Sequence, residues 1–493
     1  MKITSSETDS FIEENLLNDN DERAINDVMF KIKIREDKDS GFSSDVDSSL
    51  NNSDVDSSLN NSDEWNNLLD SLINERKAFV TKCRQEFDNN KLPEYFDQWT
   101  IKQQYDHLIS NISKYFPNIP ESLRSILPAI FENGDFSEQR GNTKPDWLIM
   151  DKFYRGQRFA ERYFSAIFMS QVMGLIQIFS FTDGMRTLIF SQESNTPYNA
   201  FVRYLRTANS FRNWYTSDPW CQGTPAYRDI QRVRRLHSAM RSKLCKKSFE
   251  EIDRDSKIQN VWCPILGKIT KDFTDTCPMA KSQQCPYTMV RTKSLNQGDM
   301  AGTLFSCMGL AVLYPEQFGI YASDEDLEAF CHLWRGLGYL LGIQDQYNFC
   351  RGNLQEIRQR SKDFIEYWVK PNFREVGPEW EHMVMCVFEG LVYIDLPSNY
   401  KVFILYLCDI LELNMPRLYS SFSLLEKIFY ALQKFMFSYM MKLPGVNFII
   451  NKVTNAYINR AATFKSIKHA KLKKKSSKIF EEFIPLKFDN GTL

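Results

Sequence analysis

A histidine on an apolar helix face is the residue of this chain with the most chemistry in reach. The segment Arg228-Asp-Ile-Gln-Arg-Val-Arg-Arg-Leu-His-Ser-Ala-Met-Arg241 has the periodicity of a helix. Ile230, Val233, Met240 and Leu244 mark its apolar face, and His237 falls on that face. A neutral imidazole so placed can bind a metal through one ring nitrogen, although a hydrogen-bonded core histidine is the commoner use of the same position. Upstream, Arg203-Tyr-Leu-Arg-Thr207 belongs to a second helical pattern in which Arg203, Thr207, Phe211 and Trp214 share a face. Cationic and hydroxyl groups in line with large aromatics suit a bound anion or oxygen. Of the four other histidines, His107 lies in a charged segment and His469 among lysines. His332 and His382 are the rival ligands, His332 the better of the two because it precedes Trp334 in an apolar helix.

The ordered set resembles the ER-bound oxygenase/rubber oxygenase family, also called latex-clearing-protein-like. That family carries Arg-x-x-Lys-Thr followed by a Val-Arg-x-x-His-type helix. The matching positions are Arg203, Arg206, Thr207 and His237, and the resemblance runs from about Asp146 to about Tyr347. It takes in Pro145-Asp-Trp147, Arg155-Gly-Gln157 and the stretch Trp334-Arg-Gly-Leu-Gly338-Tyr-Leu-Leu-Gly342. What the resemblance implies is an all-α haem b domain with His237 as the proximal iron ligand. It further implies oxidative cleavage of a carbon–carbon double bond in an isoprenoid or other apolar lipid, using dioxygen. In that reading Arg203 and Thr207 shape the distal side, Arg206 gates or polarises it, and Arg234 and Arg241 reach the haem propionates. A solvated, charged helix face is the plainer use of those last two, as of Arg232 and Arg235.

The chain departs from the family at one place, with Arg206 where the motif has lysine. A guanidinium does not deprotonate in proteins and offers no lone pair to iron, which puts a lysine-closed resting state in doubt. Rubber oxygenases also have a distal-side carboxylate proposed as acid/base. Glu193 and Asp183 are the nearby candidates, and neither aligns clearly. The chain has no Cys-x-x-Cys-His attachment sequence, so the haem is expected to be non-covalent. A haem peroxidase or peroxygenase, or a non-enzymatic haem- or lipid-binding helical module, remains as the alternative.

The elements that must position these residues are read as all-α: one large helical domain with a haem pocket between helices. Strand-like alternation is scarce across the 493 residues. Residues 1–63 form an acidic Ser/Asn/Asp-rich tail, with 16 acidic against 6 basic side chains. It contains a nine-residue tandem repeat, Ser44–Asn52 then Ser53–Asn61, and its composition predicts disorder. Residues 64–145 read as a helical N-terminal extension, 146–350 as the oxygenase-like core, 351–460 as further helices and 461–493 as a basic tail. Residues 253–297 look like an irregular surface insertion. Gly302, Gly309, Gly336, Gly338 and Gly342 are unusually dense for helical patterns, which fits either a flat ligand or close helix packing.

Outside the tail the chain has 55 basic and 46 acidic residues, too mild an excess to argue for nucleic acid. The expected partners are dioxygen and an apolar small molecule. The eleven cysteines show no CxxC pair and read as reduced, buried thiols, with no role assigned to Cys263, Cys277 and Cys285. The N-terminus lacks the apolar region of a signal peptide, and no run reaches the ~18 apolar residues of a spanning helix. Phe164 to Phe181 comes closest and reads as a buried core helix. The expected location is therefore intracellular, in the cytoplasm or peripherally on a membrane such as the endoplasmic reticulum. Phe403 to Leu413 and Ile428 to Met441 are apolar and amphipathic, and seven lysines follow between Lys465 and Lys478. That order is a peripheral-membrane pattern, with packed helices and a solvated tail as the ordinary alternative.

Overall fold

The computed structural model describes residues 62–87, 91–134, 143–278, 291–293 and 295–481. The tandem repeat, nearly all of the acidic tail, and Cys285 lie outside them. Twelve helices carry the argument. They are α1 (Met150–Arg162), α2 (Phe164–Ile178), α3 (Thr182–Phe190), α4 (Pro197–Thr216), α5 (Pro225–Cys245) and α6 (Gln297–Leu313). They continue as α7 (Asp324–Leu340), α8 (Pro378–Tyr393), α9 (Tyr400–Ile410), α10 (Leu424–Ser438), α11 (Val446–Ala462) and α12 (Ser466–Glu481). No strand occurs among the described residues, whose one isolated bridge joins Asn133 to Asn296. The chain is all-α, as read from its sequence.

Local sequence fixes where the two motif helices begin. Thr196 caps α4 by accepting from the Asn199 backbone N–H, and Thr224 caps α5 by accepting from that of Tyr227. Each threonine is followed by a proline, whose missing N–H costs nothing at the first helical position.

Three helix pairs make up the frame: α1 on α7, α2 on α6, and α4 on α8. All three approach closely because a glycine faces the partner's backbone, Gly390 of α8 doing so against Phe201 of α4. A Cβ at Gly156 would lie 2.2 Å from the Ala329 carbonyl oxygen, and one at Gly174 would lie 2.2 Å from that of Ser306. The glycines noted between 302 and 342 serve different ends: Gly302 meets Ile178 of α2 at the cavity wall, Gly309 meets Phe305 of its own helix, and Gly342 takes a positive φ of 102°. Gly336 meets the Phe153 ring and Gly338 meets Asn348. Helix α2 is apolar nearly all round and is buried at the centre of the molecule, the expected fate of such a helix. Among the described residues no single helix is long and apolar enough to cross a membrane.

Two expectations are corrected. Part of the presumed surface insertion is ordered core. Leu266–Thr276 is a helix with Ile269, Asp272 and Phe273 fully buried, and Asp272 accepts from the Leu418 N–H at 2.8 Å and from Arg417 at 3.0 Å. Buried backbone donors on a distant segment give that helix its anchor. Helix α9, read as amphipathic, is buried on nearly every side, so the segment from Phe403 to Ile410 presents no outer apolar face.

Candidate functional site

Helices α4 and α5 lie side by side, tied where Arg232 donates to the Ser210 hydroxyl at 2.8 Å and Asn213 donates to Asp229 at 2.7 Å. Their facing stripes open onto one cavity of about 620 Å³. From α4 it receives Arg203, Arg206, Thr207, Phe211 and Trp214, and from α5 Arg232, Val233, His237 and Met240. The α4 face read from periodicity lies wholly on this space, while of the α5 face Val233, His237 and Met240 line it and Ile230 and Leu244 are buried off the lining. Helices α2 and α6 supply apolar wall, including Val172, Leu175 and Leu304, and α7 contributes Trp334. Ile126 and Ile130 close the wall from the N-terminal side. Trp368 enters from a π-helical turn, Ile365–Val369, a local widening that re-aims side chains.

The other histidines are spent elsewhere. The Ile149 N–H donates to His332 Nε2 at 3.0 Å, and burial holds that imidazole down at about 4, hence neutral. His382 accepts from the Trp262 N–H at 3.0 Å through Nδ1 and meets the Asn195 carbonyl at 2.9 Å through Nε2. His107 lies 3.2 Å from the Tyr115 hydroxyl, and His469 the same distance from that of Tyr198. Among the described residues His237 is the one imidazole on the cavity wall.

The arginines divide. Arg203 reaches the Ser194 hydroxyl at 3.4 Å, and the Thr207 hydroxyl donates back to the Arg203 carbonyl at 3.1 Å. Arg206 is exposed at the cavity and makes no ion pair among the described residues. Arg234 and Arg241 are not on the lining, and Arg241 is buried.

Four carboxylates stand at the cavity: Glu193, Asp183, Asp299 and, exposed beyond the π-helical turn, Glu375. Glu193 is exposed at its edge, on the turn that follows α3. Asp183, in the first turn of α3, is pushed up by burial against the pull of Arg186, which lies 2.9 Å away. Sequence reasoning missed Asp299. It occupies the first turn of α6 and accepts from the Leu295 N–H at 2.8 Å. Burial raises it to about 6, with the charge of Asp183 adding to that rise. The Asn296-x-x-Asp299 spacing reads in sequence as a helix start, because Asn296 does cap α6, and this conceals a carboxyl able to exchange a proton near neutral pH. Cys307 also lines the wall, held as a thiol because burial raises it to about 12.

A volume of this size is that of a cofactor or small-ligand site. The residues present fit a haem. The wall is largely apolar, an imidazole stands on it, and cationic side chains sit among the same lining. The buried indole N–H of Trp214, also on the wall, meets no acceptor among the described residues. Among those residues no group of three or more His, Cys, Asp or Glu is arranged to hold a metal ion, and that includes Cys263 and Cys277.

No family model and no curated protein matches the chain. Among solved structures, latex clearing protein in its closed state is similar at a TM-score of 0.40 and 15% identity, over 72% of this chain and 88% of that one. At that level of likeness the site has to be read from its own residues.

Proposed function

We propose that the cavity binds haem b through His237 and that the protein is a haem-dependent oxygenase acting on an apolar, unsaturated substrate with dioxygen. One observation carries the reading: His237 shares a largely apolar cavity with Arg203, Arg206, Thr207 and Trp214. The Arg-x-x-Arg-Thr and Val-Arg-x-x-His spacings support it.

Haem, when bound, supplies the oxygen chemistry. The chain's own part is binding, orientation and proton handling. His237 would furnish a nitrogen ligand to the iron. Arg203, which reaches the Ser194 hydroxyl, and the more exposed Arg206 would present cationic donors to an oxygen-bearing group. Arg232, held by Ser210 and Asp229, is a better-placed partner for a propionate than Arg234 or Arg241, since it lines the cavity. The apolar walls would exclude water and hold a hydrocarbon chain. Asp299, near half-protonated at mildly acidic pH, and Asp183 would give or take a proton at a carboxyl oxygen.

The absorbance spectrum of protein expressed with ample haem precursor tests this. A Soret band with about one b-type haem per chain is the expected result. Its absence would leave a lipid-binding helical module, which the same apolar walls also suit.

A further inference from the structure

Helix α10 is apolar on two opposite sides. Inward it buries Phe437, next to Met441 just beyond its end. Outward it exposes Leu424, Leu425, Ile428, Leu432, Phe435 and Tyr439, and the run from Leu425 to Tyr439 alternates steps of three and four, so these side chains form one continuous stripe. Leu425 is 77% exposed. The short turn Met440–Lys442 leads on to Leu443 and then to α11, where Phe448, at 62%, and Ile449 are also exposed. Isolated exposed leucines need no explanation, but a contiguous face of this extent marks a docking surface.

We propose that this face, α10 with the turn and the start of α11, rests on an anionic lipid bilayer. Charge chooses the occupant. From Ser423 to Arg460 the chain carries five basic residues against one acidic residue, Glu426; Lys434 and Arg460 pair with Asp409 and Asp395, so the local excess rests on Lys427, Lys442 and Lys452. Glu426 is already engaged, capping α10 through the Ser423 N–H at 2.8 Å and pairing with Lys401. Seven more lysines follow between Lys465 and Lys478. Most of them are carried on α12, which is not a loose tail. Its Leu472 is buried and its Ser476 accepts from the Tyr198 N–H at 3.1 Å. A second copy of the chain would set this positive excess against itself, whereas acidic headgroups complement it. Lys452 lies along the apolar surface with its charge at the margin. Lys452 Nζ sits 4.5 Å from the centre of the Phe448 ring. At 15 residues α10 is too short to cross a bilayer, and it would lie in the plane of the interface. None of this depends on what the cavity holds.

Sedimentation of the full chain with vesicles tests the surface. Phosphatidylcholine vesicles with and without phosphatidylserine are compared for the wild type, for a combined Leu425→Asp, Phe435→Asp, Phe448→Asp variant, and for a combined Lys434→Glu, Lys442→Glu, Lys452→Glu variant. All six positions are exposed, so unchanged thermal melting by circular dichroism shows that the fold is kept. The wild type is expected to pellet with the phosphatidylserine vesicles, and each variant to partition roughly tenfold less or worse. A wild type left in the supernatant, or an aspartate variant that pellets as well as the wild type, overturns the proposal. So does light scattering that shows, without vesicles, a wild-type dimer which the aspartate variant abolishes, because the face would then belong to a second copy.

Discussion

The Gly174 Cα and the Ser306 carbonyl oxygen meet so closely that a single added Cβ would stand 2.2 Å from that oxygen. This contact joins α2 to α6, and both helices go on to form cavity wall, through Val172 and Leu175 on one and Leu304 on the other. Gly174→Ala must push the two helices apart. It is expected to cost about 1–3 kcal/mol, the usual range for overpacking, read as a lower midpoint in denaturant with unchanged slope. Stability equal to wild type would mean the helices are not packed this closely.

His237→Ala is expected to remove the Soret band or weaken haem retention severely. His332→Ala should keep the band and lose stability instead, by roughly 1–3 kcal/mol, because the Ile149 N–H loses its acceptor. Haem titration and chemical denaturation of both variants separate the roles, and reversed outcomes would move the ligand to α7.

Arg206 cannot ligate iron, so haem-loaded protein is expected to accept added imidazole readily, seen as a shift of the absorbance bands. Arg206→Lys should weaken or slow that shift by supplying an amine that competes once neutral. A wild-type spectrum already showing two nitrogen ligands and resisting imidazole would count against Arg206 facing the bound group.

Buried Glu381 gives a pH signature. It accepts from the Ile265 N–H and the Tyr400 hydroxyl, both at 3.1 Å, while its Oε2 meets no donor among the described residues. Burial raises its carboxyl from 4.5 to about 7. Between those values the folded chain binds a proton that the unfolded chain has released. Its contribution to stability is therefore greatest below about 4.5, falls as pH rises through about 7, and then levels off. Glu381→Gln should flatten that decline, on the order of 1–3 kcal/mol, in melts recorded across the window. An unchanged pH profile would show that the carboxyl is charged in the folded state.

Capping and periodicity are both local; the periodicity was read from the sequence, and the caps were not. The Thr-Pro starts of α4 and α5 need only the next few residues. The faces carrying Arg203, Thr207, Phe211 and Trp214, and Val233, His237 and Met240, follow from 3.6 residues per turn. The all-α class follows from the same periodicity repeated along the chain.

What a face meets is not local, and only the tertiary structure decided it. His237 and His332 both sit on helices with apolar neighbours. One lines the cavity, while the other takes a backbone N–H from a segment 183 residues away. Asp299 looks like part of a helix cap until α3 brings Asp183 to the same cavity. The apolar stretches of α9 and α10 were both read as amphipathic. Packing buries the first, while for α10 it covers one side and leaves the other facing outward. Apolar spacing gives a helix its face, but whether that face meets protein, ligand or solvent is set by contacts between residues far apart in the chain, which a local pattern does not contain.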